Sequence, residues 1–212
     1  MVCKAGDSEF DQDVTVLSAS RPFSVALDFA TGSLTPYSAS LVRPLSDMAS
    51  AFEDQAAVES ILASGDDPVI YRSYYPDVPN EPDHLAFLTT TISAGTVGSE
   101  FFMTRGHHHY RDSAELYVGM SGEGIMVMES RRGDLSQQEL APSVVIYVPP
   151  GWAHRTVNTG NVPLTFLAAY YGDAGHDYGA MESTGGFSIR VYRGDDGPQL
   201  RRSATRDRVG PS

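Results

Sequence analysis

The chain is predicted to be mainly β, a small sandwich or barrel with a short helical segment ahead of it. Three observations carry this. After Pro68 the apolar residues alternate with period two in a series of short runs. Turns rich in Gly, Pro, Asn and Asp separate those runs. The one stretch of helical periodicity precedes them all. The 212 residues can bury a full core in one domain without disulfide staples.

Residues 1–20 are polar and weakly patterned and read as a loose N-terminal arm. Phe23 to Phe29 reads as a strand, closed by the turn at Thr31-Gly32. LSDMASAFEDQAAVESILAS reads as a single helix. Ser46 is its N-cap, with Asp47 in the first turn, and Met48, Phe52, Val58 and Ile61–Leu62 form the buried face. Gly65 stops it, with Pro68 just beyond. Strands then follow at VIYRSYY, HLAFLTTTIS, AELYVGM, GIMVMES, SVVIYVP, HRTVN, LTFLAAYY and FSIRVYR. The stretch 194–212 shows no apolar period and reads as a flexible tail. The expected domain is therefore a single barrel over residues 21–193.

Composition narrows the function. Asp and Glu number 27 against 15 Lys and Arg, a net charge of −12. A nucleic-acid surface needs a basic stripe, which is lacking. A field of this sign does not draw in an anionic substrate from afar, so a phosphate would have to be captured by local groups. The single cysteine, Cys3, cannot form an internal disulfide and fits a reducing cytoplasm. The N-terminal residues lack an apolar h-region, and no apolar run nears 18 residues, so neither a signal peptide nor a membrane span is expected.

The chemistry concentrates in RGHHHYRDSAELYVG, residues 105–119. On an extended strand His107 and His109 share a face and His108 points the other way. Glu115 and Tyr117 share a face on the next run. Antiparallel pairing of the two runs would bring both pairs to one interior spot. A fourth donor, His154, lies at a strand start in VPPGWAHRTVN. Taken singly, each feature has a plain alternative: an exposed polar loop for H-x-H, a solvated charge for Glu115, a hydrogen-bonded turn histidine for His154. Together, three imidazoles and a carboxylate make a ligand set for a divalent transition metal.

The joint pattern H-x-H, five residues, Glu115, six residues, Gly122, followed by P-x-G-x-x-H-x-x-x-N from Pro149 to Asn158, resembles the two halves of the cupin signature. Ser143 stands where a glycine is usual. The resemblance implies a double-stranded β-helix (jelly-roll) barrel with His107, His109, Glu115 and His154 around a metal. From about Pro22 to Val191 the chain further resembles the cupin-type glucose-6-phosphate isomerases. It does so through PFSVALDFATG, RPLSDM, DPVIY, VGSEFFMTRGHHH, AELYVG, VIYVPPGWAHRTVNTGNVPLTFLA and DAGHDYG. Two departures stand beside the metal: one residue fewer between His109 and Glu115, and Gly151 in place of an aromatic.

That resemblance implies an aldose–ketose isomerase of glycolysis and gluconeogenesis acting on glucose 6-phosphate and fructose 6-phosphate. It also implies one divalent metal (Fe, Mn, Zn, Ni or Co) and a homodimer. It places phosphate contacts at Tyr71, Thr90, Thr104 and Gly106, and sugar contacts at Glu115, Tyr117, Tyr170, His176 and Tyr178. Arg105 is expected to be turned away from the pocket by strand alternation. Glu115 is the expected base, through a cis-enediol or beside a hydride shift, with His176 assisting. An iron-dependent cupin dioxygenase and a non-catalytic sugar- or metal-binding module are the alternatives.

Overall fold

The computed structural model describes residues 21–204 and 206; the predicted arm at 1–20 lies outside the described residues. In chain order the elements begin with β1 (Ala26–Leu27), β2 (Leu34–Thr35), β3 (Ala39–Pro44), α1 (Leu45–Met48), a 3-10 turn (Ala49–Ala51) and α2 (Gln55–Ala63). Next come β4 (Val69–Tyr75), β5 (Leu85–Ile92), β6 (Thr96–Val97), β7 (Glu100–Phe101), β8 (Glu115–Ser121), β9 (Gly124–Ser130) and β10 (Leu135–Leu140). The last are β11 (Val145–Val148), β12 (Trp152–Asn158), β13 (Leu164–Tyr171), α3 (Tyr178–Ser183), β14 (Ile189–Gly194) and β15 (Gly197–Arg202).

One wall is a six-stranded antiparallel sheet in the order β11-β8-β13-β5-β4-β3. The facing wall is β10-β9-β12, extended through the bridges Met103↔Val157 and His107↔His154. From β8 onward the chain passes between walls: β8 and β13 lie in the first, β9, β10 and β12 in the second, β11 back in the first. This is the double-stranded β-helix of a cupin. Met126, Ile146, Leu164 and Phe166 fill its interior, each contributing about 1.5–3 kcal/mol by leaving water.

The helical segment is broken, not continuous. Phe52 adopts an extended backbone and buries its ring 6.3 Å from that of Phe102. Asp54 then caps α2, its Oδ1 accepting the Ala57 N–H at 3.0 Å. Phe52 and Val58 lie about 120° apart around a helix, within one wide apolar stripe, so periodicity alone did not reveal the break; Asp54, a capping residue inside the run, marks it. Ser46 does not cap; its N–H and hydroxyl donate to Asp67 at 2.8 and 2.7 Å. Gly65 lies just past the C-cap at φ +86°, the left-handed residue the stop signal implied. The strand expected over 23–29 shortens to β1. The stretch after Gly194 is not a loose tail where described: β15 pairs with β14 from Arg193↔Pro198 to Ile189↔Arg202. Its side chains are mostly polar and exposed, which erased the apolar period, although the Asp195-Asp196 turn between Gly194 and Gly197 marks the hairpin.

Candidate metal centre and substrate cavity

Four side chains converge inside the barrel. The ligand atoms of His107, His109, Glu115 and His154 all lie within 4.8 Å of one another. The pairing that brings them together is not the one foreseen. The H-x-H segment lies against β12, with His107 N–H donating to the His154 carbonyl at 3.3 Å and His154 N–H to the His107 carbonyl at 3.1 Å. Glu115 arrives separately from β8, paired with Tyr170 of β13. The middle histidine ties down a different segment: His108 N–H donates to the Asp177 carbonyl at 3.3 Å, and the His108 carbonyl accepts the Asp177 N–H at 2.7 Å. His107 and His109 face inward on either side of it, as alternation requires.

The ring orientations suit a cation. His109 Nδ1 sits 3.1 Å from the Ser113 carbonyl and 3.1 Å from its hydroxyl, while Nε2 lies 3.1 Å from Glu115 Oε2. His154 Nδ1 faces the Trp152 carbonyl at 3.3 Å. A ring nitrogen donating to a carbonyl leaves the other with its lone pair free for a metal. His154 Nε2 is 2.8 Å from Glu115 Oε2, yet not aligned as a hydrogen bond, and it and His107 Nε2 are buried without a hydrogen-bond partner. Two orphaned buried lone pairs beside a carboxylate, with three nitrogens and one oxygen in all, fit a divalent transition metal.

Electrostatics agree. Burial pushes the Glu115 carboxyl up, but the His154, His109 and His107 imidazoles outweigh burial and hold it well below the carboxylate range. Burial, then neighbouring His154 and His176, drive the His107 imidazole well below its ordinary value and keep it neutral. The Tyr117 hydroxyl is raised well above its usual range by burial and by the Glu115 charge.

The centre lines part of an open cavity. Its inner surface follows from sheet register. Glu115 pairs with Tyr170; Tyr117 with Ala168; Phe166 with Thr90, which pairs with Ser73. The Glu115 and Thr90 rows are four residues apart along the sheet, roughly 13 Å. At the far end Ser73 Oγ and Thr90 Oγ1 lie 2.8 Å apart. Tyr71, Thr104 and Gly106 line the same cavity, Gly106 against the His154 carbonyl. Thr104 Oγ1 accepts the Thr156 N–H at 3.1 Å, which leaves its own proton free to donate. Gly106 has φ +74°, and a Cβ there would lie 2.5 Å from Phe187.

Above the metal end sits DAGHDYG. The His176 ring centroid lies 4.4 Å from that of His107 and 5.6 Å from Tyr170, and His176 stacks on Tyr178 at 6.1 Å. Burial first, and Glu115 against it, leave the His176 imidazole below its ordinary value. Burial and the Tyr71 and Tyr75 hydroxyls push Tyr178 up to about 12. Asp177 then caps α3 through the Ala180 N–H at 3.0 Å.

Tyr71, Thr90, Thr104, Gly106, His107, Glu115, Tyr117, His154, His176 and Tyr178 thus line one cavity. Tyr170 and His109 sit just behind its surface, Tyr170 against the His109 and His176 rings. Ser73 was missed, although its alternation with Tyr71 in VIYRSYY places it on the same face. Arg105, expected to turn away, lines the cavity instead.

Fold and site define a cupin with a centre of three histidines and one glutamate. Residues 42–208 match the family model described as Glucose-6-phosphate isomerase (GPI). A glucose-6-phosphate isomerase of Thermococcus litoralis is 45% identical over 172 residues, 81% of this chain and 90% of that one. The protein of the same name in Thermococcus gammatolerans is 43% identical over 83% of this chain and 92% of its own. That of Sinorhizobium medicae is 36% identical over 84% and 82%. Among solved structures, oxalate decarboxylase from Bacillus subtilis aligns at TM-score 0.40 with 22% identity, over 50% of this chain and 26% of that one. The chain belongs to the glucose-6-phosphate isomerase family of cupin type.

Proposed function

We propose that this chain interconverts glucose 6-phosphate and fructose 6-phosphate, the step shared by glycolysis and gluconeogenesis. One observation carries the reading: a single cavity is lined both by His107, Glu115 and His154 of the four-residue centre and by Tyr71, Thr90, Thr104 and Gly106. Hydroxyl and amide donors can cradle a phosphate. In this reading His107, His109, Glu115 and His154 hold one ion of Fe, Mn, Zn, Ni or Co, which when bound polarises and orients the two sugar oxygens.

Glu115 starts as a carboxylate, the form that accepts a proton. It removes the C2 proton of the open-chain aldose while the C–H electrons form the C1=C2 bond and O1 is protonated. The resulting cis-enediol then loses the O2 proton and regains one at C1 from Glu115. His176 moves protons at the hydroxyls, and the Tyr117 and Tyr178 hydroxyls, held neutral, bond the sugar and exclude water. A direct hydride shift from C2 to C1 would leave Glu115 a ligand only. In D2O, proton transfer puts deuterium at C1 of fructose 6-phosphate over repeated turnovers; an unlabelled product assigns the shift.

The test of the function is fructose 6-phosphate formation in a coupled assay, with oxygen uptake followed alongside. The expected result is turnover without oxygen uptake, and a kcat lower by at least about 100-fold in Glu115→Gln. No turnover in wild type would reject the reading. A cytoplasmic homodimer completes the proposal. Supporting a second copy is the outer face of the large sheet, where Tyr147, Leu116, Ala169 and Phe87 form one cross-strand row with Tyr147 62% exposed.

A further inference from the structure

We propose that Arg105 is the residue that selects a phosphorylated sugar, with Glu182 and Arg155 as the residues that position it. This rests on the isomerase reading and deepens it. The chain carries a net charge of −12, so a phosphate dianion is not drawn in at long range and a local cation would strengthen its capture. Among the described residues lining the cavity, Arg105 is the only one whose cation is permanent. It stands between Thr104 and Gly106 in the chain, both assigned to the phosphate.

Three contacts hold it there. Its backbone carbonyl accepts two bonds from the Arg155 guanidinium, at 3.2 and 2.7 Å. Its own guanidinium lies 5.1 Å over the Tyr178 ring. Its Nη2 pairs with Glu182 on α3. The two side chains are 31% and 57% exposed, so that pair is weak in water and yields readily to a stronger acceptor. A guanidinium presents five donors in a fork, enough to keep Glu182 and still take a phosphate oxygen. Arg155 adds a second positive charge behind the Arg105–Gly106 peptide. It is buried, stacks at 4.7 Å on Phe187, forms no ion pair among the described residues, and its Nη1 has no partner. Burying a guanidinium without a carboxylate is costly; an incoming phosphate across that peptide offsets it.

Tyr178 and Glu182 both belong to α3, and His176 lies two residues before it. An anion drawn onto Arg105 therefore meets the same element that carries His176 over the metal end.

The test uses the full-length, metal-loaded protein and the variants Arg105→Met, Arg105→Lys and Glu182→Gln. KM for fructose 6-phosphate and the inhibition constants of inorganic phosphate and of sorbitol, an unphosphorylated sugar alcohol, are measured. For Arg105→Met, KM and the phosphate constant both rise about 10-fold, kcat changes less, and the sorbitol constant does not follow. Arg105→Lys recovers most of the loss. Glu182→Gln, at an exposed site that leaves folding intact, removes the carboxylate that competes for Arg105 and lowers the phosphate constant about 2- to 3-fold. Phosphate inhibition unchanged in Arg105→Met, or in Glu182→Gln if the former fails to fold, overturns the inference while the isomerase reading stands. Wild type that does not turn over fructose 6-phosphate overturns both.

Discussion

Gly106 joins the two ends of the cavity, and Gly106→Ala tests whether that junction matters. The residue sits at φ +74°, where an alanine is strained by about 1–2 kcal/mol. Its new Cβ would lie 2.5 Å from Phe187 Cε2, and 3.0 Å from both Arg155 Cβ and the His154 carbonyl oxygen. Ordinary contact begins near 3.4 Å, so the Phe187 ring or the 104–107 segment must shift by about 0.9 Å. Overpacking of that kind adds about 1–3 kcal/mol. All three close neighbours are backbone or buried side chain, with little room to retreat. The expected loss is about 3 kcal/mol, or roughly 10 °C in Tm for a domain of this size. The shift falls between Thr104 and His107, so function should suffer beyond stability. Metal affinity and KM for fructose 6-phosphate are both expected to worsen about 10-fold at 25 °C, where the variant remains folded. Thermal unfolding, metal titration and the coupled assay read these three effects. A Tm within about 1 °C of wild type, with KM unchanged, would refute the reasoning.

Two further substitutions follow from the same geometry. His154→Ala removes one of four ligands and leaves the Glu115 carboxylate with one imidazole contact fewer; metal affinity is expected to fall at least about 100-fold by competition with a chelating dye, with the β fold retained by circular dichroism. Ser143 carries a left-handed backbone, φ +69°, at the position where cupins usually have glycine. Ser143→Gly relieves about 1–2 kcal/mol of folded-state strain and loses about 0.4–1 kcal/mol to greater unfolded-state freedom, so a gain of about 0.5–1 kcal/mol is expected in denaturant unfolding.

Much of the site was legible because strand alternation is a strong rule. It set His107 and His109 on one face and His108 on the other, and Glu115 with Tyr117. Long-range pairing was not legible. The H-x-H segment lies on β12, not on the run that carries Glu115, because nothing local in the sequence chooses a partner strand. Arg105 was misplaced for a related reason. The 104–106 segment is irregular, and Gly106 at positive φ ends the alternation on which its direction was judged. The broken helix shows the opposite lesson, since Asp54, a capping residue in the middle of the run, was visible in the sequence while the apolar period ran across the break. β10, LSQQEL, escaped notice because four of its six residues are exposed and its pairing is carried by backbone bonds to β9. β15 hid for the same reason.

The central claim is that the four converging side chains hold an ion on which isomerisation depends. It is tested most directly by stripping the purified protein with a chelator until elemental analysis finds no transition metal, then following fructose 6-phosphate formation before and after adding back Mn, Fe, Ni, Co or Zn singly. Activity should vanish on stripping and return with at least one of the five, reaching about one ion bound per chain. Full activity in protein shown to be free of metal would contradict it.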